Sequence, residues 1–279
     1  MRPTTYLATA LSAAVMLSAC DTDRSLTAES APSTSRNGIA SDVATLKDKG
    51  DAQIVTATGD IVGAVEEFRD LLGALNPNVP GEQPAGDPGG RREINWDGVP
   101  AGFTNNDLFP ANFFNSNSPR GVVYTTDGTG FRVGTADGFT NLNPSYAGEF
   151  TPFSGGKMFV SRGSTVTDIH FFVAGSTTPA FVTGFGSVFE DVGRAHSTTI
   201  QFYDADGNRL LEIVAPRASD ERGLSFAGAA FASPIVAWVR ITAGDTPIGA
   251  DDNVKGAGQK DDVVVMDDFI YGEPRTIRN

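Results

Sequence analysis

Thr199-Ile200-Gln201-Phe202-Tyr203-Asp204-Ala205-Asp206-Gly207-Asn208-Arg209-Leu210-Leu211-Glu212-Ile213 reads as a β-hairpin. Two runs rich in large apolar and β-branched residues flank a turn that contains Asp206-Gly207. Gly207 supplies the positive φ that closes such a turn without a Cβ clash. Successive side chains on a strand point to opposite faces, so Ile200 and Phe202 are expected inward on one arm and Leu211 and Ile213 inward on the other. Such alternation belongs to a sheet that covers a core on one side and leaves its other side polar.

The same pattern recurs on both sides of the hairpin. β-rich runs fall at 93–96, 121–125, 130–133, 157–160, 166–173, 181–189, 198–203, 210–214, 224–231, 235–242 and 262–271, separated by turn residues. No long helical pattern interrupts them, which argues against crossover helices and a parallel sheet. The expected architecture is all-β, an antiparallel jelly-roll-like β-sandwich over residues 92–274. The 19 Phe, against 5 Tyr and 2 Trp, fit a core between two sheets, because phenyl rings fill volume without needing a buried hydrogen-bond partner.

Composition excludes other classes. The 279 residues carry 21 Lys and Arg against 34 Asp and Glu, a formal net charge of −13, so the chain should repel nucleic acid phosphates and no nucleic-acid partner is expected. A single Cys can form neither an internal disulfide nor a cysteine-rich zinc site.

That Cys closes the segment MRPTTYLATALSAAVMLSAC, in which Arg2 precedes an apolar stretch too short to span a bilayer. Leu17-Ser18-Ala19-Cys20 resembles the bacterial lipobox, which implies a signal peptide over 1–19 and acylation of Cys20. Two or more acyl chains, at about 0.8 kcal/mol per buried methylene, give durable attachment to a membrane. The expected localisation is therefore exported and lipid-anchored in the cell envelope, with the choice of inner or outer membrane open. Residues 20–50, without aromatics, read as a flexible stalk. Residues 51–76 read as a short helical segment: Asp60 can cap it, Ile61, Val65, Phe68 and Leu72 recur at helical spacing, and Gly73 can end it in a left-handed conformation. Residues 77–91 form a Pro/Gly linker, and 275–279 a tail.

The search for chemistry turns on acids and rings. His170 lies on a strand, where a cross-sheet side-chain pair is expected, and His196 in a solvated turn; no catalytic residue is assigned. Asp267 and Asp268 are adjacent on a strand, so their side chains should point to opposite faces and not form a facing pair. Whichever points inward lies among Val263, Val265, Phe269 and Ile270 and needs a cation or hydrogen-bond donors. Two partners are open. One is a structural calcium ion held by Glu93, Asp97 and Asp267 or Asp268, since the first and last strands of a sandwich can pair. The other is a salt bridge from Arg91, Arg92 or Arg120. Asp204-Ala205-Asp206-Gly207-Asn208 opens like a calcium loop, but the twelfth position is Ala215, which favours a plain hairpin turn. The acid-rich loop 244–262 offers a second, weaker ion site. Trp238 and Arg240 alternate with Val239 and Ile241, so if the latter face the core the former face outward as a ligand platform. Trp96, Tyr146 and Tyr203 are further ring candidates for a glycan.

Several segments carry a wider resemblance: Arg91-Arg92-Glu93-Ile94-Asn95-Trp96-Asp97-Gly98-Val99-Pro100, Asn112-Phe113-Phe114-Asn115-Ser116-Asn117-Ser118-Pro119-Arg120-Gly121-Val122, Gly128-Thr129-Gly130-Phe131, Gly184-Phe185-Gly186-Ser187-Val188-Phe189 and Val265-Met266-Asp267-Asp268-Phe269-Ile270-Tyr271-Gly272. Together they resemble a family of uncharacterised exported bacterial β-sandwich proteins, some with a C-terminal PEP-CTERM-type tail. This chain departs from the tailed members by ending Gly272-Glu273-Pro274-Arg275-Thr276-Ile277-Arg278-Asn279, which places the expected anchor at Cys20. The closing strand is also similar to that of jelly-roll carbohydrate-binding modules. The family resemblance carries almost no assigned chemistry; the residues together point to a non-catalytic, lipid-anchored envelope or cell-surface protein whose sandwich is a binding or structural module, with a glycan as the candidate ligand and calcium as the candidate stabilising ion. A polysaccharide-active hydrolase or lyase with an acidic cleft, and an envelope assembly protein with a protein partner, are the alternatives.

Overall fold

The computed structural model describes residues 52–83, 89–218, 222–251 and 261–276; the signal segment, Cys20 and the stalk lie outside them. Among the described residues twelve strands form: β1 (Ala52–Thr58), β2 (Arg91–Ile94), β3 (Val122–Thr125), β4 (Gly130–Thr135), β5 (Lys157–Arg162), β6 (Val166–Phe171), β7 (Gly184–Glu190), β8 (Thr199–Tyr203), β9 (Arg209–Val214), β10 (Leu224–Phe231), β11 (Trp238–Thr242) and β12 (Val265–Gly272). Helix α1 spans Val62–Leu72, and two single-turn helices, α2 (Phe113–Ser116) and α3 (Ala136–Phe139), sit in loops.

The strands make an all-β sandwich of two antiparallel sheets. One has seven strands in the order β1-β10-β7-β12-β5-β4, with β2 also on β12, and the other has five in the order β3-β6-β11-β8-β9. The hairpin from 199 to 213 forms as its pattern predicts: Ile200 pairs with Ile213 and Phe202 with Leu211, all four are buried, and Gly207 takes φ 78° in the turn. Asp204 closes that turn through its own carboxylate, whose Oδ1 accepts from the amides of Asp206 at 3.0 Å and Asn208 at 2.8 Å. The loop that opened like a calcium site is a hairpin turn.

Between the sheets lies an aromatic centre. Trp96 stacks on Phe159 with centroids 4.3 Å apart and 4° between planes, meets Phe109, Phe114 and Phe269 edge to face, and lies tilted at 37° to Tyr124. Trp96 has φ 65°, a left-handed backbone that favours glycine, held by this packing and by its indole N–H donating to the Asp267 carbonyl at 3.0 Å. Trp96 and Tyr146 are thus buried, and neither is available as a glycan platform.

The outer side of the seven-stranded sheet is covered. Helix α1 lays Ala64, Val65, Phe68 and Leu72 on it, and the Phe68 ring meets Phe226 at 5.4 Å. Gly186 on β7 and Gly228 on β10 pair directly beneath that ring. A Cβ on either would come within 2.8 Å or 2.9 Å of Phe68, so only bare backbone lets the helix sit this close. The Asp60 carboxylate accepts from the Val62 amide at 3.3 Å at the start of α1. Gly73 ends the helix with φ 90° and ψ −163°, a positive φ but not the left-handed helical conformation expected. A second apolar cluster, Phe139, Tyr146, Phe150, Met158, Val160, Ile248, Val263 and Val265, covers the other end of the same face.

Three boundaries differ from the sequence reading. The 51–76 segment holds a strand as well as a helix: β1 pairs along β10 from Ala52↔Phe231 to Thr58↔Ser225. The linker stops at Gly90, because Arg91 already belongs to β2; its described part has no helix or strand, in keeping with its composition, and is held to the body by buried Arg92, which donates to the carbonyls of Pro77 at 2.6 Å and Gly81 at 3.4 Å. Arg92 also pairs with buried Glu273 at 2.6 Å, and Thr276 donates to Glu82, so the described start of the tail belongs to the body.

Candidate functional site

The acids singled out from the sequence gather on the covered face, at a gap along β12. Strand β2 pairs with the later half of β12, from Phe269↔Ile94 to Gly272↔Arg91, and β5 pairs at Met266↔Phe159. These two strands therefore lie end to end on one edge of β12, and the acids sit where they meet. Against β7, Met266 faces Phe189 and Phe269 faces Ser187, three steps on β12 against two on β7. This bulge inserts one residue, so Met266 and Phe269 both reach the inner core.

The consequence corrects the expectation that Asp267 and Asp268 diverge. Both carboxyls turn to the outer side and reach the same residue: Ser154 N–H donates to Asp267 Oδ2 at 3.1 Å and Ser154 Oγ–H to Asp268 Oδ1 at 2.5 Å. Phe153 N–H adds a donor to Asp267 Oδ2 at 2.7 Å. Glu190, which the sequence reading did not select, joins them; its Oε2 accepts from Thr151 N–H at 2.9 Å. All three acids are buried, and Asp267 Oδ1 and Glu190 Oε1 have no hydrogen-bond partner among the described residues. Burial drives Glu190 up to about 8 and, reinforced by Asp268, drives Asp267 up to about 9; burial raises Asp268 as well. At neutral pH Glu190 and Asp267 hold protons in place of charge.

The cation beside these acids comes from α1. Arg69 donates to Glu93 through Nε and Nη2, each at 2.9 Å, and its Nη2 lies 3.5 Å from Asp268 Oδ2. Of the arginines nominated from sequence, Arg91 pairs with Glu93 at 2.6 Å, Arg92 with Glu273 instead, and Arg120 with none of these acids. Asp97 accepts from the Gly156 amide at 2.8 Å. Glu93, Asp97, Asp267 and Asp268 are thus engaged by protein donors. Among the described residues no group of three or more acids, His or Cys is arranged to hold a metal ion. In the acid-rich loop Asp245 takes Arg194 and the Asp262 amide, while Asp262 takes the Gly193 amide and Ser197; 252–260 lie outside the described residues.

The outer side of the five-stranded sheet has a different character. Val239 and Ile241 are buried, so Trp238 and Arg240 face outward as expected. Trp238 pairs directly with Tyr203 on β8 and His170 on β6, which places three rings in one row across three strands. Trp238 stacks on Tyr203 at 3.9 Å and 2°, and on His170 at 5.8 Å and 25°. The rings use their faces on one another, so the row is a ridge and not the flat platform that a lone Trp would offer. His170 also contacts Thr125 Oγ1 at 3.2 Å, the cross-sheet pair anticipated for it, while His196 is exposed in its turn.

A polar row runs beside the ridge. Arg240 makes a two-pronged pair with Asp168, 2.7 Å at each prong, and its guanidinium lies 5.8 Å from the Trp238 ring. Gln201 pairs opposite Arg240 and binds both the Tyr203 hydroxyl at 2.8 Å and Glu212 at 2.7 Å. Arg209 pairs with Glu212 at 2.6 Å. The face is dense in hydrogen-bonding groups, and its principal charges cancel in pairs.

No known family profile matches the chain, and no curated protein does. Among solved structures the chain is similar to a cleaved adhesin domain of Lys-gingipain, at 8% identity and a TM-score of 0.32, over 63% of this chain and 96% of that one. It is also similar to the enzymatically active domain of tailspike protein 4 of bacteriophage CBA120, at 14% identity and a TM-score of 0.17, over 49% of this chain but only 20% of that one. At these scores neither likeness bears on function, and the two-sheet architecture rests on the strand pairing itself.

Proposed function

We propose that this chain is a non-catalytic binding module, held in the cell envelope by acyl chains on Cys20, whose five-stranded sheet face takes a neutral glycan. The observation that carries the reading is the in-register row Tyr203–Trp238–His170, half-buried and flanked by Arg240, Asp168 and Gln201. Hydroxyl-rich, uncharged ligands suit a face that offers donors and acceptors but little net charge. Ring edges and polar tips, not ring faces, make the contacts.

A binding role is favoured over hydrolysis by where the carboxyls lie. Glycoside hydrolysis uses two carboxyls about 5–10 Å apart flanking an accessible cleft. The acids that meet here, Glu190, Asp267 and Asp268, are buried beneath the 151–154 loop. The cavity of about 370 Å³ beside Arg120 has no acidic residue in its lining.

A glycan array probed with the wild-type chain and with Trp238→Ala tests the proposal. Binding of a neutral oligosaccharide by the wild type, lost in the variant, is expected. Equal signal from both proteins would remove the face from consideration. The anchor is tested separately by metabolic labelling with an alkyne fatty acid: the wild type should take up label and Cys20→Ser should not.

A further inference from the structure

We propose that the cavity beside Arg120 is a binding site for a small ring-bearing carboxylate. It is an open recess between the residues that follow β2, the 3-10 turn Ala101–Phe103, helix α2 and the segment leading into β3, with a volume of about 370 Å³. That volume falls at the lower end of small-molecule sites, which run from about 300 Å³ upward, and suits one substituted ring. Phe103, Phe113 and Phe114 form its apolar wall; Asn95, Asn117 and Ser118 give it polar groups.

Arg120 makes this more than an apolar recess. Its Nε donates to the Glu93 carbonyl at 3.0 Å, its Nη1 to Ser118 Oγ, and its guanidinium lies 5.0 Å from the Phe114 ring. Arg69, Arg91, Arg92, Arg132, Arg162 and Arg240 each meet a carboxylate. Among the described residues none pairs with Arg120, although acids outnumber bases 34 to 21 in the chain. The charged group that acts on it most among the cations is Arg92, which is also positive, and the nearby phenols Tyr124 and Tyr271 are buried and neutral. A half-buried guanidinium that is oriented by two hydrogen bonds but has no counter-charge is a ready partner for an anion. A carboxylate fits its planar fork, and a ring attached to that carboxylate fits the phenyl wall.

The site shares no residue with the sheet face and does not depend on the glycan reading. Benzoate and its neutral analogue benzamide, titrated into the full chain and followed by calorimetry, test it without a variant. Benzoate should bind about ten- to a hundredfold more tightly than benzamide, the range expected for a charge-assisted hydrogen bond. Arg120→Gln should erase that preference. Should Arg120→Gln fail to fold, Arg120→Lys, which keeps the charge but not the fork, should narrow the preference. Equal affinity of the wild type for both probes, or binding of neither, would overturn the proposal.

Discussion

The two outer faces of the sandwich are made by the same kind of strand and end up opposite in character. On the seven-stranded sheet, glycines at 186 and 228 clear a bed for the Phe68 ring, α1 and the 139–150 segment lie over the strands, and even three carboxyls are buried. On the five-stranded sheet the outward residues Trp238, Tyr203, His170, Arg240 and Gln201 are only half-buried, and they spend their contacts on each other. The difference teaches that burial, not aromatic content, separates the two faces: the covered side packs its rings against bare backbone, whereas the open side stacks half-buried rings on one another. The first face is covered, and the second is left open.

Phe68→Ala should break that contrast most severely. Removing the ring from its glycine bed leaves a cavity under α1 and should cost about 3–5 kcal/mol, read as a shift in the denaturant midpoint at unchanged slope. A loss near zero would mean that α1 is only loosely laid on the sheet.

The buried acids sharpen the contrast through pH. Folded Glu190 and Asp267 keep their protons to about 8 and about 9, whereas in the unfolded chain such carboxyls release them near 4. Between those limits the folded chain binds more protons, so their stabilising contribution is complete at acid pH and is lost as pH rises through 8 and 9. Each such proton contributes a slope of up to about 1.4 kcal/mol per pH unit. Unfolding measured from pH 5 to 9 should show declining stability, and Asp267→Asn should flatten the decline. An unchanged slope in that variant would show that Asp267 is ionised in the folded chain.

On the open face the expected stability effects are small. Trp238→Ala removes two cross-strand ring contacts, each worth about 0.2–1 kcal/mol, so chemical unfolding should shift by no more than about 2 kcal/mol. The smallest effect is reserved for the metal: because Arg69, Arg91 and backbone amides already serve Glu93, Asp97 and Asp268, thorough chelation of calcium should leave the melting temperature unmoved. A fall on chelation would reinstate an ion at the acid cluster.

The legible parts of the molecule were those with a period. Alternation in 199–213 fixed which residues of the hairpin are buried, and alternation around Val239 placed Trp238 outward. Strand β1 leaves a weak signal because Ala52–Thr58 lacks aromatics and follows a polar stretch; Ile54-Val55-Thr56 before the Gly59-Asp60 turn is the signal available. The bulge escaped for a different reason. Strict alternation assigns Asp267 and Asp268 to opposite faces, yet Met266 and Phe269, three residues apart, are both apolar and both buried inward, a spacing that only an extra residue allows. The stacking of Tyr203 and His170 on Trp238 depends on register between strands distant in sequence, which no local pattern encodes. Arg92 docking the linker through carbonyls leaves no trace in side-chain chemistry.

The most direct test of the division between the faces is a pair of readings on Trp238→Ala: its unfolding free energy and its glycan-array signal per folded molecule. The account predicts a folded variant, destabilised by no more than about 2 kcal/mol, with binding abolished. Binding retained at full strength, or lost only because the variant no longer folds, would contradict it.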